Sequence, residues 1–185
     1  MIYLVRHGLD DENYIGGYSY GGLVEEGIKQ VEELAFWLFN KDLNIDRIYS
    51  SDIYRAVETT LIINKYLNLD ITFDQNLREQ NKGLLNGMLR SEALLKYSDI
   101  LLSEDVNLRY PEGESVKDLY VRIKKLLLNI SIYDNSLLVT HRGVINMFYY
   151  LLNNDELDMD KRKYGVSHAS FHELDLANGK IRRLK

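Results

Sequence analysis

Three short segments of the chain gather imidazole and guanidinium groups. Arg6-His7-Gly8 follows the apolar run Met1–Val5. Ser51-Asp52-Ile53-Tyr54-Arg55 follows Ile45–Ser50, and His141-Arg142-Gly143 follows Ser136–Thr140. A guanidinium presents a planar fork that matches phosphate oxygens. Imidazole can donate to an oxyanion or attack phosphorus. Phosphoryl transfer is accelerated mostly by positioning and positive charge. Two histidines and two arginines in one place would therefore suit a phosphomonoester, and Gly8 would let a phosphate approach the backbone.

The elements that must bring these segments together are legible in the hydrophobic pattern. The runs before His7, Ser51 and His141 read as buried strands, and Ile71–Phe73 reads as a further short one. Glu25–Phe39 has apolar residues at helical spacing (Ile28, Val31, Leu34, Ala35, Leu38), with Glu25 and Glu26 suiting the helix dipole. Ile53–Leu67 reads as a helix with Val57, Thr60, Leu61 and Asn64 on one face and Asp52 as its cap. Ser91–Leu102, Ser115–Ile130 and Gly143–Leu152 are predicted helices. Ala169–Leu176 and Lys180–Leu184, joined at Asn178-Gly179, read as a hairpin. Strands alternating with helices predict an α/β fold, a three-layer α/β/α sandwich on a mainly parallel mixed sheet. In such sheets ligands bind beyond the carboxyl ends of the strands. The helix starting near Gly143 would aim backbone N–H groups at the same crevice.

The composition narrows the classes. The chain has 185 residues, no cysteine, one proline and a net charge of −5. Disulfide scaffolds, thiolate metal sites and cysteine nucleophiles are excluded, and a cytoplasmic location is compatible. No apolar window is long enough for a membrane span, and the first residues do not read as a signal peptide. An acidic protein is a poor partner for nucleic acid or an anionic membrane. An anion site must then be a local basic pocket.

Arg6-His7-Gly8 resembles the signature of the histidine phosphatase, or phosphoglycerate mutase-like, superfamily, and further blocks agree in order. Asn13 stands six residues after His7. Leu23-Val24-Glu25-Glu26-Gly27-Ile28-Lys29-Gln30 is similar to that family's Leu-Thr-Glu-x-Gly-x-x-Gln helix start. Ser50–Thr59 resembles Ser-Ser-x-x-x-Arg-Ala-x-x-Thr, Leu77–Gly83 resembles Leu-x-Glu-x-x-x-Gly, and Pro111–Ser115 resembles Pro-x-Gly-Glu-Ser. Leu137–His141 looks like the strand that carries the second histidine. The resemblance implies His7 as nucleophile through a phosphohistidine. It implies Arg6, Arg55 and His141 as holders of the phosphoryl oxygens, Asn13 as an aid to phosphate binding, and Glu79 as general acid and base. No metal or other cofactor is implied, because the arginines and His141 would carry the charge stabilisation.

The pattern has departures. Leu9 and Asp10 replace a Glu-Thr or Glu-Ser pair, so Asp10 brings a negative charge close to an anion site. Val24 replaces a capping threonine, and Arg142 replaces glycine and reads as a solvated side chain. His168 and His172 would share a face on a strand, but no third metal ligand has suitable spacing. Phe36, Trp37 and Phe39 read as core or partner contacts, and Tyr14, Tyr18 and Tyr20 as packing of the loop after Asn13. The expected protein is one domain over residues 1–185 with a short cap at about 88–110. A cap this short would leave water access and favour hydrolysis of a small phosphorylated metabolite. Its nearest comparisons are alpha-ribazole phosphatase-like and broad-specificity phosphatases. The rival expectations are phosphoglycerate mutase-type transfer and a catalytically weak phosphate-binding module. Homo-oligomerisation is open in either case.

Overall fold

A computed structural model describes residues 1–41 and 43–185. Its sheet has six strands: β1 (Ile2–Arg6), β2 (Arg47–Ser50), β3 (Asp70–Phe73), β4 (Ser136–Thr140), β5 (Phe171–Asp175) and β6 (Lys180–Arg183). They lie in the order β3-β2-β4-β1-β5-β6. The first four are mutually parallel and the terminal hairpin is antiparallel. The sheet is thus mixed and mainly parallel, as the alternating pattern predicts. β1 and β4 are buried along their whole length, which is why they read as unbroken apolar runs.

Helices α1 (Glu25–Phe39) and α2 (Tyr54–Leu67) cover one face, packing on Val5, Ile48 and Val139. α3 (Arg90–Leu101) stands apart from that layer. α4 (Val116–Leu128) and α5 (Arg142–Asn153) cover the other face through Leu4 and Leu138. The core therefore lies in two sheets of side chains, one on each side of the strands.

Some local expectations are corrected. In α2 the buried face is Ala56, Thr59, Thr60, Ile62 and Ile63, while Leu61 is exposed. Arg55, Ala56 and Thr59 belong to the buried stripe, and that shifts it away from Val57 and Leu61. Asp52 does not cap α2; it forms a two-pronged pair with Arg78, at 2.6 Å from Nε. Gly8 is needed for packing: a Cβ there would lie 2.6 Å from the Gly27 carbonyl and 2.7 Å from Val31 Cγ2. Trp37 packs edge-on against Phe171, whereas Phe36 and Phe39 are exposed.

Two features position the site. His7 N–H donates to the Thr140 carbonyl at 3.0 Å and Ser51 N–H to the Val139 carbonyl at 2.9 Å. These bonds extend the ladders past β1 and β2, so the residues after three adjacent strands leave the sheet together. The loop after His7 is tied to the segment before α3. Ile15 N–H donates to the Met88 carbonyl and Gly87 N–H to the Ile15 carbonyl, both at 2.8 Å. Ile15, Leu85, Ala93 and Tyr110 form a small separate core beneath it. Among the described residues, no helix is long and apolar enough to cross a membrane.

Candidate active site

Beyond the carboxyl ends of β1, β2 and β4 lies a pocket lined by Arg6, His7, Arg55 and Glu79, with Asp10 and Arg142 on its wall. Arg55 is 2% exposed on the first turn of α2. Its Nε donates to His7 Nε2 at 3.1 Å, and its two terminal nitrogens donate to Ser19 Oγ at 3.0 Å and the Gly17 carbonyl at 2.8 Å. Gly17 has φ +71, and a Cβ there would meet Asn86 Oδ1 at 2.4 Å, so the turn that presents this carbonyl requires glycine. The guanidinium is therefore held on three sides before any substrate arrives.

His7 Nδ1 donates to the Gly8 carbonyl at 2.7 Å, which leaves Nε2 as the acceptor of the Arg55 bond. Burial first, and then the positive charge of Arg55, lower the His7 imidazole well below the ordinary histidine range. It is neutral at neutral pH, with its lone pair on Nε2 toward Arg55, and the neutral ring is the form a nucleophile needs. His141 lies at the N-cap of α5, fully buried, with its ring 5.1 Å from that of His7. Its Nε2 pairs with Ser51 Oγ at 2.8 Å, and its Nδ1 is buried without a partner. It stands behind His7 rather than on the pocket wall. Burial lowers it too, followed by Arg55 and Arg6.

The Glu79 oxygens accept N–H bonds from Gln80 at 2.9 Å and from Gly143 at 3.1 Å. The helix N-terminus expected to face a phosphate is thus occupied by Glu79, and a Cβ at Gly143 would collide with that carboxylate at 2.1 Å. Asn13 is not brought into the cluster. Its amide donates to Asp11 Oδ1 at 2.9 Å, it is exposed, and Tyr14 and Gly17 line the pocket beside it instead. Arg142, read from the sequence as solvated, lines the pocket.

His168 was not legible as a site residue. It does not share a strand face with His172, because it sits in the turn before β5. There it contacts Arg6 through Nε2, and its ring is 5.7 Å from that of His7. His172 is buried between the Tyr149 hydroxyl and Ser170 Oγ. Asp10 reaches Arg55 Nε at 3.5 Å and His168 Nε2 at 3.8 Å. Burial alone would raise its carboxyl, but the contact with His168 and the neighbouring His7 and Arg55 hold it below the usual carboxylate range. Among the described residues, His7, Asp10 and His168 are the group whose ligand atoms could surround a metal, all within 4.8 Å of one another. Guanidinium N–H groups of Arg55 and Arg6 already point at the two histidine nitrogens that would bind it. The arrangement thus fits an anion better than a cation.

Two outcomes follow. Asp10 lies where it opposes an incoming anion, so Asp10→Asn should tighten competitive inhibition by inorganic phosphate roughly 10-fold, read as Ki. An unchanged or weaker Ki would mean that the carboxylate does not compete with the phosphoryl group. Burial lowers His172 to about 4, and His7 and His141 shift in the same direction. A histidine whose folded pKa lies below its unfolded value of about 6.5 binds its proton more tightly when unfolded. Stability is then full above pH ~6.5 and falls toward pH ~4, by up to about 1.4 kcal/mol per pH unit for each such histidine. Urea midpoints at pH 7 and pH 5.5 measure this, with the lower midpoint expected at pH 5.5.

The fold and the site define a class. The family model of the histidine phosphatase superfamily (branch 1) matches residues 2–185, and the chain belongs to that superfamily. It is 36% identical over 133 residues to an Escherichia coli protein named probable phosphoglycerate mutase GpmB, covering 69% of this chain. The match spans 61% of that relative's length. It is 31% identical over 165 residues to a Hydrogenobacter thermophilus protein named "Putative phosphoserine phosphatase 2", covering 85% of this chain and 80% of the relative. Among solved structures, Bacillus stearothermophilus YhfR superposes with a TM-score of 0.82 at 23% identity, over 99% of this chain and 94% of that one. A mycobacterial glucosyl-3-phosphoglycerate phosphatase in complex with VO3 gives a TM-score of 0.78 at 22% identity, over 98% and 96%.

Proposed function

We propose that the protein is a metal-independent phosphomonoesterase that hydrolyses a small phosphorylated metabolite through a phosphohistidine on His7. The observation that carries this reading is the His7 imidazole: neutral, tied at Nδ1 to the Gly8 carbonyl, and facing the pocket arginine through Nε2. In the first half-reaction Nε2 forms a bond to phosphorus as the ester P–O bond breaks. Arg55 Nε turns from His7 Nε2 to a phosphoryl oxygen, which frees the attacking lone pair. Glu79, as general acid, delivers a proton to the leaving oxygen. In the second, a water attacks phosphorus, Glu79 takes its proton, and phosphate leaves His7 as it was. Arg6 and Arg55 supply the charge that faces the phosphoryl oxygens, and His141 supports His7 from behind. Residues 1–185 act as one catalytic domain, in which the segment 88–110 is a small cap.

Hydrolysis of para-nitrophenyl phosphate across pH 5–8, with and without chelator, tests the reading. Chelator-resistant turnover is expected, and turnover that chelator abolishes contradicts it. Glu79→Gln should cost roughly 10²- to 10³-fold in kcat on alkyl phosphates, whose leaving oxygen needs the proton, and far less on the activated aryl ester. Equal losses on both would remove Glu79 from the acid role. The relatives named as mutases support one second reading, return of the phosphoryl group to another oxygen of the bound product. Phosphoglycerate isomerisation that depends on a bisphosphorylated primer would favour it.

A further inference from the structure

A group that is acid in one half-reaction and base in the next must obtain a proton and then dispose of it. Both Glu79 oxygens accept backbone N–H groups, from Gln80 at 2.9 Å and from Gly143 at 3.1 Å, so the side chain is held as an acceptor. A proton source on the same wall meets its need. The arginines of the pocket, Arg6, Arg55, Arg90 and Arg142, keep their protons at neutral pH. His7 is committed to phosphorus. Among the described residues that line the pocket, Lys82 is the one amine, and none of the steps above uses it.

Lys82 follows Glu79 by three residues on one loop, and hydrogen bonds lock that loop. Lys82 N–H donates to Asn86 Oδ1 at 3.0 Å, Asn81 N–H to Glu114 Oε2 at 2.8 Å, and Gly83 N–H to Asn81 Oδ1 at 2.9 Å. Gly83 has φ +52, and a Cβ there would lie 1.8 Å from the Pro111 carbonyl oxygen, so the residue after Lys82 must be glycine. Glu79 and Lys82 line the phosphoryl pocket together, and together they line a second cavity beside it. Lys82 Nζ stands over the Tyr110 ring, 5.8 Å from its centroid. Among the described residues, Lys82 forms no ion pair.

Its surroundings ease the release of a proton. Burial first, and then Lys161, lower the Lys82 ammonium to about 7. Arg90 and Arg142 act in the same direction, and Glu79 is the carboxylate that opposes them. Burial raises the Tyr110 phenol, which stays neutral, and Asp11 and Glu12 stand on the pocket wall as well. An amine poised near neutrality can both give and take a proton at the working pH.

We propose that Lys82 is the proton store of the reaction, acting through Glu79: it gives a proton in the first half-reaction and recovers it in the second. As His7 Nε2 bonds to phosphorus and the ester P–O bond breaks, Glu79 passes a proton to the leaving oxygen and receives one from Lys82 Nζ. The leaving group departs as an alcohol, and Lys82 is left a neutral amine. In the second half-reaction Glu79 takes a proton from the attacking water and hands it to Lys82, which restores the ammonium. The inference rests on the phosphatase reading and adds a proton path to it.

The test is the pH dependence of turnover of phenyl phosphate and para-nitrophenyl phosphate by the wild type, Lys82→Met and Lys82→Arg. The two esters differ by one nitro group, and phenyl phosphate has the more basic leaving oxygen. Lys82 loses its proton as pH rises through about 7, so wild-type kcat/KM for phenyl phosphate should fall above that pH. A bound phosphoryl anion favours the ammonium, so the fall in kcat should come at higher pH than the fall in kcat/KM. Lys82→Met should lose about 10-fold or more in kcat on phenyl phosphate, far less on the nitrophenyl ester, and the alkaline fall should vanish. Lys82→Arg keeps the charge but cannot release the proton, so it should behave as the methionine variant does. The ester's own phosphate titrates near pH ~6 in all three proteins alike. Restored kcat in Lys82→Arg would show that charge alone matters and would overturn the proposal. An alkaline fall that persists in Lys82→Met, with kcat kept, would overturn it too, and would leave the phosphatase reading intact. If the wild type turns over neither ester, the phosphatase reading fails and takes this inference with it.

Discussion

His7→Ala is expected to lose at least roughly 10³-fold in turnover of any ester, while phosphate still binds. The side chain supplies the atom that bonds to phosphorus, and the pocket offers no replacement. His141 is fully buried behind it with Nε2 on Ser51, and His168 Nε2 is engaged by Arg6. The anion-binding groups do not depend on the imidazole. Arg55 keeps its bonds to Ser19 and Gly17, and Arg6 its bond to the Val166 carbonyl at 2.9 Å. Turnover near the wild-type level in this variant, with the fold intact by circular dichroism, would remove His7 from the nucleophile role.

The second large effect is expected at Arg55. Arg55→Lys keeps a charge but loses the planar fork, and with it the contacts that place the guanidinium at once on His7, Ser19 and Gly17. Its kcat/KM should fall roughly 10²-fold or more, mostly in kcat, because the charge no longer meets the phosphoryl oxygens as they gain negative character. Arg55→Ala should also lose stability by about 3–5 kcal/mol, since it removes one of the two cationic partners of the Asp10 carboxylate and empties a fully buried position. Thermal melts with and without phosphate separate the two effects. Retention of kcat in the lysine variant would show that the fork is structural only.

Much of the scaffold was legible because its signals are local. α1 and β4 follow the predicted bounds, one from its apolar spacing and the other from an unbroken apolar run between a turn and a histidine. Strand–helix alternation carried the layer architecture, and the convergence of His7, Arg55 and His141 followed from their places just past neighbouring strand ends. What escaped the sequence depends on contacts far along the chain. Gly8 faces the Gly27 carbonyl, and Asp52 meets Arg78 rather than the helix behind it. His168 enters the site from the turn before β5, more than 150 residues from His7 in sequence. Lys82 and Lys161 come from separate loops, and only the fold sets them together. Asn13 has the right spacing, yet its side chain closes a local turn on Asp11, a competition that short polar side chains often win.

The central claim is a covalent phosphoryl group on His7, and trapping that group tests it most directly. The protein is mixed with an ester labelled in its phosphoryl group, quenched within a turnover, denatured, and mapped by mass spectrometry. The account predicts label on the peptide holding His7, stable in alkali, released by acid as phosphoramidates are, and absent from His7→Ala. Turnover without label in the wild type, or label on another residue, would contradict it.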